Sequence, residues 1–102
     1  MDDVPAHASR ILGDRIVGIR TRASLSASAL AECADLDLSH LQRIEKGTGN
    51  PTLFTLLQLA EALEVDVEEL VTGIRAADLP ERHRPYRHSD RERYRRRPRD
   101  RA

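Results

Sequence analysis

The stretch Leu25–Glu45, LSASALAECADLDLSHLQRIE, decides the fold. Ser26 carries a side-chain oxygen suited to accept the amide hydrogen bonds that a helix start leaves open. Leu30, Ala31 and Ala34 follow at helical spacing, which predicts a helix over 27–34 with one face buried. Asp35 stands where the chain must reverse. Asp tolerates the left-handed conformation better than most residues other than glycine, at the cost of some strain. Asp37 is the next N-cap, opening a helix from Leu38 to Lys46. In that helix Leu41 and Ile44 lie three apart and point inward, while Leu38, Ser39, Gln42 and Arg43 lie on the opposite side. Gly47 ends it as a C-cap glycine does.

Two short helices separated by a tight Ala34-Asp35-Leu36 turn make the pattern of a DNA-binding helix-turn-helix. Working outward, residues 1–7 read as a flexible leader. A helix from Ala8 to Arg22 follows, with Leu12, Ile16 and Ile19 as its buried stripe. Gly13 and Gly18 weaken it locally, or let another helix come close. The loop Gly47-Thr48-Gly49-Asn50-Pro51 is dense in turn residues. Thr52 caps a fourth helix whose expected apolar face is Leu53, Leu56, Leu57, Ala60 and Leu63. Asp66 opens a fifth helix, with Glu69 completing a capping arrangement, Val67, Leu70 and Val71 on the apolar side, and Gly73 at the end. Five short helices with brief connections predict an all-α domain over 8–75, with no strand pattern and no internal repeat.

The chain has 102 residues, enough for one small domain. Phe54, Tyr86 and Tyr94 are its only aromatic residues, so the core is aliphatic. No apolar run approaches the ~18 residues of a membrane span, and no secretory signal leads the chain. The lone Cys33 excludes an internal disulfide and a cysteine-based zinc site, is compatible with a reducing cytoplasm, and reads as a small semi-buried helix residue. His7, His40, His83 and His88 are scattered without metal-ligand spacing, so neither a metal nor a cofactor is expected. No set of nucleophile, base and oxyanion donors stands out, and the glycines of 47–49 follow no phosphate-binding fingerprint, so an enzyme is not expected.

The formal net charge of zero conceals an asymmetry. Residues 1–79 carry seven basic and thirteen acidic residues, a net of −6, whereas residues 80–102 carry ten Arg and four acidic residues, a net of +6. Residues 76–102, with Pro80, Pro85 and Pro98 and few aliphatic side chains, read as a basic tail that is disordered when free. Two readings of the tail stay open. One is a solvated appendage that aids solubility. The other is non-specific attraction to phosphate, steeply salt-dependent, which offsets repulsion between an acidic domain and DNA. Tyr86 and Tyr94 could stack on unpaired bases, which keeps an RNA-binding alternative in view.

Residues 11–73 resemble the lambda-repressor-like, XRE/Cro-C1 family of helix-turn-helix domains. The matching segments are Leu12-Gly13-Asp14-Arg15-Ile16 with Ile19-Arg20, Leu25-Ser26, Leu30-Ala31-Glu32, and Ile44-Glu45-Lys46-Gly47. They continue through Asn50-Pro51-Thr52-Leu53 and Leu59-Ala60-Glu61-Ala62-Leu63-Glu64-Val65 to Leu70. The resemblance implies a compact five-helix fold and a transcription regulator, most naturally a repressor. Its helix 38–46 would lie in the major groove of double-stranded DNA. It also implies a homodimer on a pseudo-palindrome with half-sites about 34 Å apart. Such a protein belongs in the cytoplasm of a prokaryote, or of a phage-bearing cell, associated with the nucleoid.

Residue by residue, the resemblance assigns Arg20 and Glu45 to a partly buried ion pair of structural role. Leu38, Ser39 and Arg43 match positions that reach base edges, with Gln42 beside them. Arg43 suits guanine O6 and N7, against the alternatives of a plain surface charge or an ion pair. Ser39 is open between base and phosphate, Leu38 can make only apolar contacts, and His40 is more consistent with a solvent-facing or backbone role than with base contact. Backbone amides near Ala27 and Thr52 would hold phosphates, with Lys46, Thr48 and Asn50 as further candidates. The chain departs from the family pattern at Ala27, where Gln is usual, and at Asp35 and Ser24, where Gly is common. Asp35 and Asp37 also bring negative charge to the DNA face. These departures motivate an alternative of another class, a protein-interaction module of the same fold such as an antitoxin-like partner-binding protein with weak DNA affinity. The dimer surface leaves no mark in the sequence; the exposed part of the fifth helix near Leu70–Ile74 is the candidate.

Overall fold

The computed structural model describes residues 7–80. Five helices follow in order: α1 (His7–Arg22), α2 (Ala27–Ala34), α3 (Leu38–Lys46), α4 (Leu53–Leu63) and α5 (Val67–Val71). A 3-10 turn, Ala76–Asp78, comes after them, and the described residues contain no strand. The expected leader and tail fall for the most part outside the described residues.

The first four helices stop in the same way. Within two residues of each helix end a residue adopts the left-handed conformation, and the next amide returns to a carbonyl five residues back. The left-handed residues are Ser24 (φ 60°), Asp35 (φ 60°), Gly47 (φ 84°) and Glu64 (φ 59°). The returning bonds are Leu25 N to Arg20 O, Leu36 N to Ala31 O, Thr48 N to Arg43 O and Val65 N to Ala60 O, each 2.9–3.0 Å. Gly47 alone adopts this conformation without a Cβ penalty. Ser24, Asp35 and Glu64, all exposed, adopt it under a strain of roughly 1–2 kcal/mol each. Helix starts are equally local: Ser26 accepts from Ala29 N and Thr52 from Thr55 N. Asp37 and Asp66 hold the N-cap backbone conformation, but neither carboxylate makes a capping hydrogen bond. The capping arrangement expected at Asp66 is replaced by a backbone bond, Glu69 N to Asp66 O.

The core is aliphatic. Ile16, Leu30, Leu41, Ile44, Leu59 and Leu70 are all but fully buried, each worth roughly 1.5–3 kcal/mol relative to exposure. Leu12, Ile19 and the small Ala31, Ala34 and Ala60 fill in around them. The stripe expected on α1 is the one observed. On α4 it is not: Leu53 and Leu57 are 62% and 44% exposed, and the buried face is Thr55, Leu59, Ala60 and Leu63 with Leu56 partly covered. Ala60, Leu63 and in part Leu56 are covered as expected, but Leu, Phe and Ala occupy so much of this helix that the apolar pattern is broad, and it includes Leu53 and Leu57 where Thr55 and Leu59 are buried. Leu70 lies at the center of the core, so it cannot belong to a dimer surface. Cys33 is exposed rather than semi-buried, because its neighbors Leu30, Ala31 and Ala34 take the inward face of α2.

Ordered structure continues past residue 75, where the tail was placed by composition. Asp78 is buried, accepts a 2.8 Å bond from Arg75 N, and lies 3.8 Å from His7 at the start of α1. Arg15 fastens α1 to α5 by donating to the carbonyls of Glu69 and Thr72, both at 2.8 Å.

At Gly13, α1 and α3 meet backbone to backbone. A Cβ on Gly13 would stand 2.6 Å from the carbonyl oxygens of both Ile44 and Glu45. Those oxygens belong to the backbone and cannot swing away. Gly13→Ala should therefore destabilize the domain by about 1–3 kcal/mol through forced separation of the two helices, read as a lower urea midpoint at unchanged m-value.

Candidate nucleic-acid interface

The inward side of α3 is anchored by Leu41 and Ile44, which leaves Leu38, Ser39, Gln42 and Arg43 exposed together on its other side. His40 is half-buried between the two faces. The four residues expected to face base edges thus share one solvent-facing surface. Leu38 is 38% exposed, an apolar side chain left uncovered at the start of the helix. Arg43 has no side-chain partner among the described residues, which removes the ion-pair alternative there and leaves its guanidinium free.

The orientation of α3 is held from α1. Arg20 grips Glu45 through two bonds, Nε to Oε2 at 2.8 Å and Nη2 to Oε1 at 3.1 Å. Its remaining nitrogen Nη1 donates to the Leu25 carbonyl at 3.0 Å, at the entrance to α2. The side chains are 15% and 11% exposed. Hydrogen bonding to Glu45 is the main cause that raises the Arg20 pKa, against desolvation, which lowers it. One guanidinium therefore ties together three segments: α1, the start of α2 and the last turn of α3. A second tie, Gln58 Nε2 to Ala34 O at 3.0 Å, joins α4 to the end of α2. Neither Gln58 nor Arg15 was marked by the sequence, since their acceptors are backbone carbonyls 24 and 54–57 residues away.

The phosphate candidates sit in two groups. Ala27 opens α2 behind the Ser26 cap, and Leu53 opens α4 behind the Thr52 cap. The amides of each first turn that the cap does not take have no acceptor inside the helix, which suits them to an anion. Both helices also turn the positive end of their dipoles outward there. Thr52 Oγ1 is engaged with Thr55, accepting from its amide at 3.2 Å. Thr48 is more fully committed: its hydroxyl and its amide both donate to the Arg43 carbonyl, at 3.2 and 3.0 Å. Its donors thus serve as a cap for α3. Lys46 and Asn50 are exposed. Asp35 and Asp37 are exposed near the start of α3 and put two negative charges beside this surface. Among the described residues, no cluster of His, Cys, Asp or Glu is placed to hold a metal ion, and no helix is long and apolar enough to cross a membrane.

Arg20→Ala leaves Glu45 buried without its partner, and should cost about 3–5 kcal/mol of stability. Replacing both, Arg20→Met with Glu45→Leu, should cost clearly less, which a double-mutant cycle in urea unfolding measures.

This arrangement of helices has counterparts. The helix-turn-helix family HTH_3 matches residues 19–70. An HTH-type transcriptional regulator of Rickettsia prowazekii (strain Madrid E) is 28% identical over 80 residues, covering 78% of this chain and 62% of that protein. The immunity repressor protein of Bacillus phage phi105 is 42% identical over 60 residues, covering 59% of this chain and 42% of the repressor. The chain thus spans less than two thirds of the length of each of these relatives. Among solved structures, the restriction-modification controller protein C.AhdI from Aeromonas hydrophila superposes with a TM-score of 0.60 at 35% identity, covering 61% of this chain and 94% of the controller. The all-helical fold, the motif at residues 25–46 and the match over half the chain place this protein in the XRE-type helix-turn-helix family, HTH_3.

Proposed function

We propose that this protein is a sequence-specific DNA-binding transcription regulator that reads the major groove with α3. The observation that carries this reading is the geometry of α3. Its apolar face is locked into the core and to Arg20, while Leu38, Ser39, Gln42 and Arg43 are exposed side by side on the other face. Arg43 supplies bidentate readout of guanine, Gln42 and Ser39 supply further donors and acceptors, and Leu38 can meet a thymine methyl. Phosphates are held by the free first-turn amides of α2 and α4, with Lys46 and Asn50 alongside. Repression is the sign we assign, by similarity to the phage immunity repressor.

A single α3 of nine residues reaches few base pairs, so the regulator acts as a homodimer on half-sites about one helical turn apart. Leu70 itself is buried and Val71 is the exposed apolar residue of α5, while a larger apolar cluster lies on α4. Leu53, Phe54 and Leu57 project together from α4, with Phe54 75% exposed. Leu57 opens onto a shallow groove that also includes Ala60, Val65 and Val67. Exposed apolar groups clustered on a charged surface mark a contact site, and we assign this one to a second copy. The basic tail adds sequence-independent attraction to the duplex.

Selection from a random duplex pool should enrich a palindromic site. At that site Arg43→Ala should cost roughly 1–3 kcal/mol and relax preference at one base in each half. Weaker binding with the preference intact would remove Arg43 from readout. Sedimentation at micromolar concentration should show a dimer that Phe54→Lys with Leu57→Lys converts to monomer. A dimer that persists in this variant places the interface on another face, and leaves the α4 patch to a different protein partner.

A further inference from the structure

The domain is acidic, and several of its cations are already occupied. Arg15 is bound to carbonyls of α5 and its C-terminal end, and Arg20 to Glu45. At the start of α2 the phosphate site lacks a side chain, because Ala27 has no donor beyond its amide, and at the start of α3 Asp35 and Asp37 repel phosphate. At the other end of α3, Thr48 spends its donors on the Arg43 carbonyl. The side chains left there are Arg43, Lys46, Asn50 and one residue from outside the motif, Arg10.

Arg10 belongs to the first turns of α1, which lie directly over the end of α3. A Cβ on Gly47 would stand 2.9 Å from Arg10 Cγ and 3.0 Å from its Cα. Gly47 is buried beneath it, while Arg10 itself is exposed and makes no hydrogen bond or ion pair among the described residues. The missing side chain at Gly47 is what leaves room for the Arg10 stem. Sequence offered no hint of this, since the two residues are 37 positions apart and the resemblance starts at residue 11.

Resting on the DNA-binding reading above, we propose that Arg10 is a DNA-backbone contact, its guanidinium taking a phosphate beside the 47–52 loop. Guanidinium suits that role because its fork pairs two N–H groups with two phosphate oxygens and it stays charged at every working pH. Its stem is already seated, so less conformational freedom is lost on binding than for a free surface arginine. With Lys46 it makes a cationic edge at the end of α3 remote from Asp35 and Asp37.

The test uses the full chain on the duplex enriched by selection and on a scrambled duplex, with affinity measured from 50 to 200 mM salt. Arg10→Gln keeps most of the stem and removes the charge. It should weaken binding to both duplexes alike and lower the slope of log K against log salt by about 0.9 per protomer, about 1.8 for the dimer, so that affinity falls about 12-fold less across the fourfold rise in salt. Arg10→Lys should restore most of the slope. Arg22→Gln is the matched control, because the Arg22 guanidinium lies back along α1, 3.5 Å from where a Gly18 Cβ would stand. It should leave the slope nearly unchanged. A wild-type slope in Arg10→Gln, or equal losses in Arg10→Gln and Arg22→Gln, overturns the proposal while an enriched, Arg43-dependent site still supports the parent reading. Absence of any enriched duplex overturns both.

Discussion

Gly13 carries no side chain where the carbonyl oxygens of Ile44 and Glu45 pass it, and one helical turn pair further on Arg20 closes on the Glu45 carboxylate. Together these contacts set how close α1 comes to α3 and at what rotation. The rest of the interface inherits that setting. Rotating α3 by a single residue position would carry Glu45 away from Arg20 and replace Ile44 in the core by a polar neighbor. It would also turn the surface of Leu38, Ser39, Gln42 and Arg43 by about 100°. The same guanidinium reaches the Leu25 carbonyl, so the entrance to α2 moves with α3 as a unit. A geometry of this kind costs desolvation, and an apolar pair could fill the space as stably. What an apolar pair lacks is direction: two parallel bonds between a planar fork and a carboxylate define an orientation as well as a distance.

Much of this was legible in the sequence because it is local. The Ser26 and Thr52 caps, the reversal at Asp35, the stop at Gly47 and the stripe Leu12-Ile16-Ile19 are each decided within a few residues, and the structure bears them out. The open side of Gly13, read as permission for a helix to approach, is filled by α3. Where the reading failed, the competing local signals were nearly equal. Leu, Phe and Ala on α4 make a broad apolar pattern, and only contact with α2 and α5 selects Leu59 over Leu53 and Leu57 for burial. Asp37 and Asp66 occupy N-cap positions without making the cap bond, a detail of side-chain rotation that residue type does not decide. Ties such as Arg15 to Glu69 and Thr72, or Arg10 over Gly47, span dozens of residues and exist only once the helices have docked.

Charge is sorted along the molecule. Glu61, Glu64, Asp66, Glu68 and Glu69 crowd the end of α4 and the start of α5, all exposed, whereas Arg43 and Lys46 project from α3. This charge pattern favors approach of a polyanion at α3 over the α4–α5 end, which on the proposed reading orients the encounter before any base is read. The net of −6 over residues 1–79 makes that attraction weak for the domain alone, and residues 80–102, with ten arginines, bring the whole chain to a formal net charge of zero. On the proposed reading, affinity and specificity fall to different parts of one sequence, with phosphate attraction spread widely and base readout confined to one face of α3.

The central claim is that α3 and the loop after it form the surface that meets DNA. Titrating isotopically labeled protein of 11.5 kDa with the selected duplex, and following amide resonances, tests it directly. The account predicts that the largest shifts fall on Leu38–Arg43, on the loop 47–52 and on the first turns of α2 and α4, with Glu64–Leu70 unmoved except where two copies meet. Shifts confined to residues beyond Pro80, with α3 silent, would contradict it.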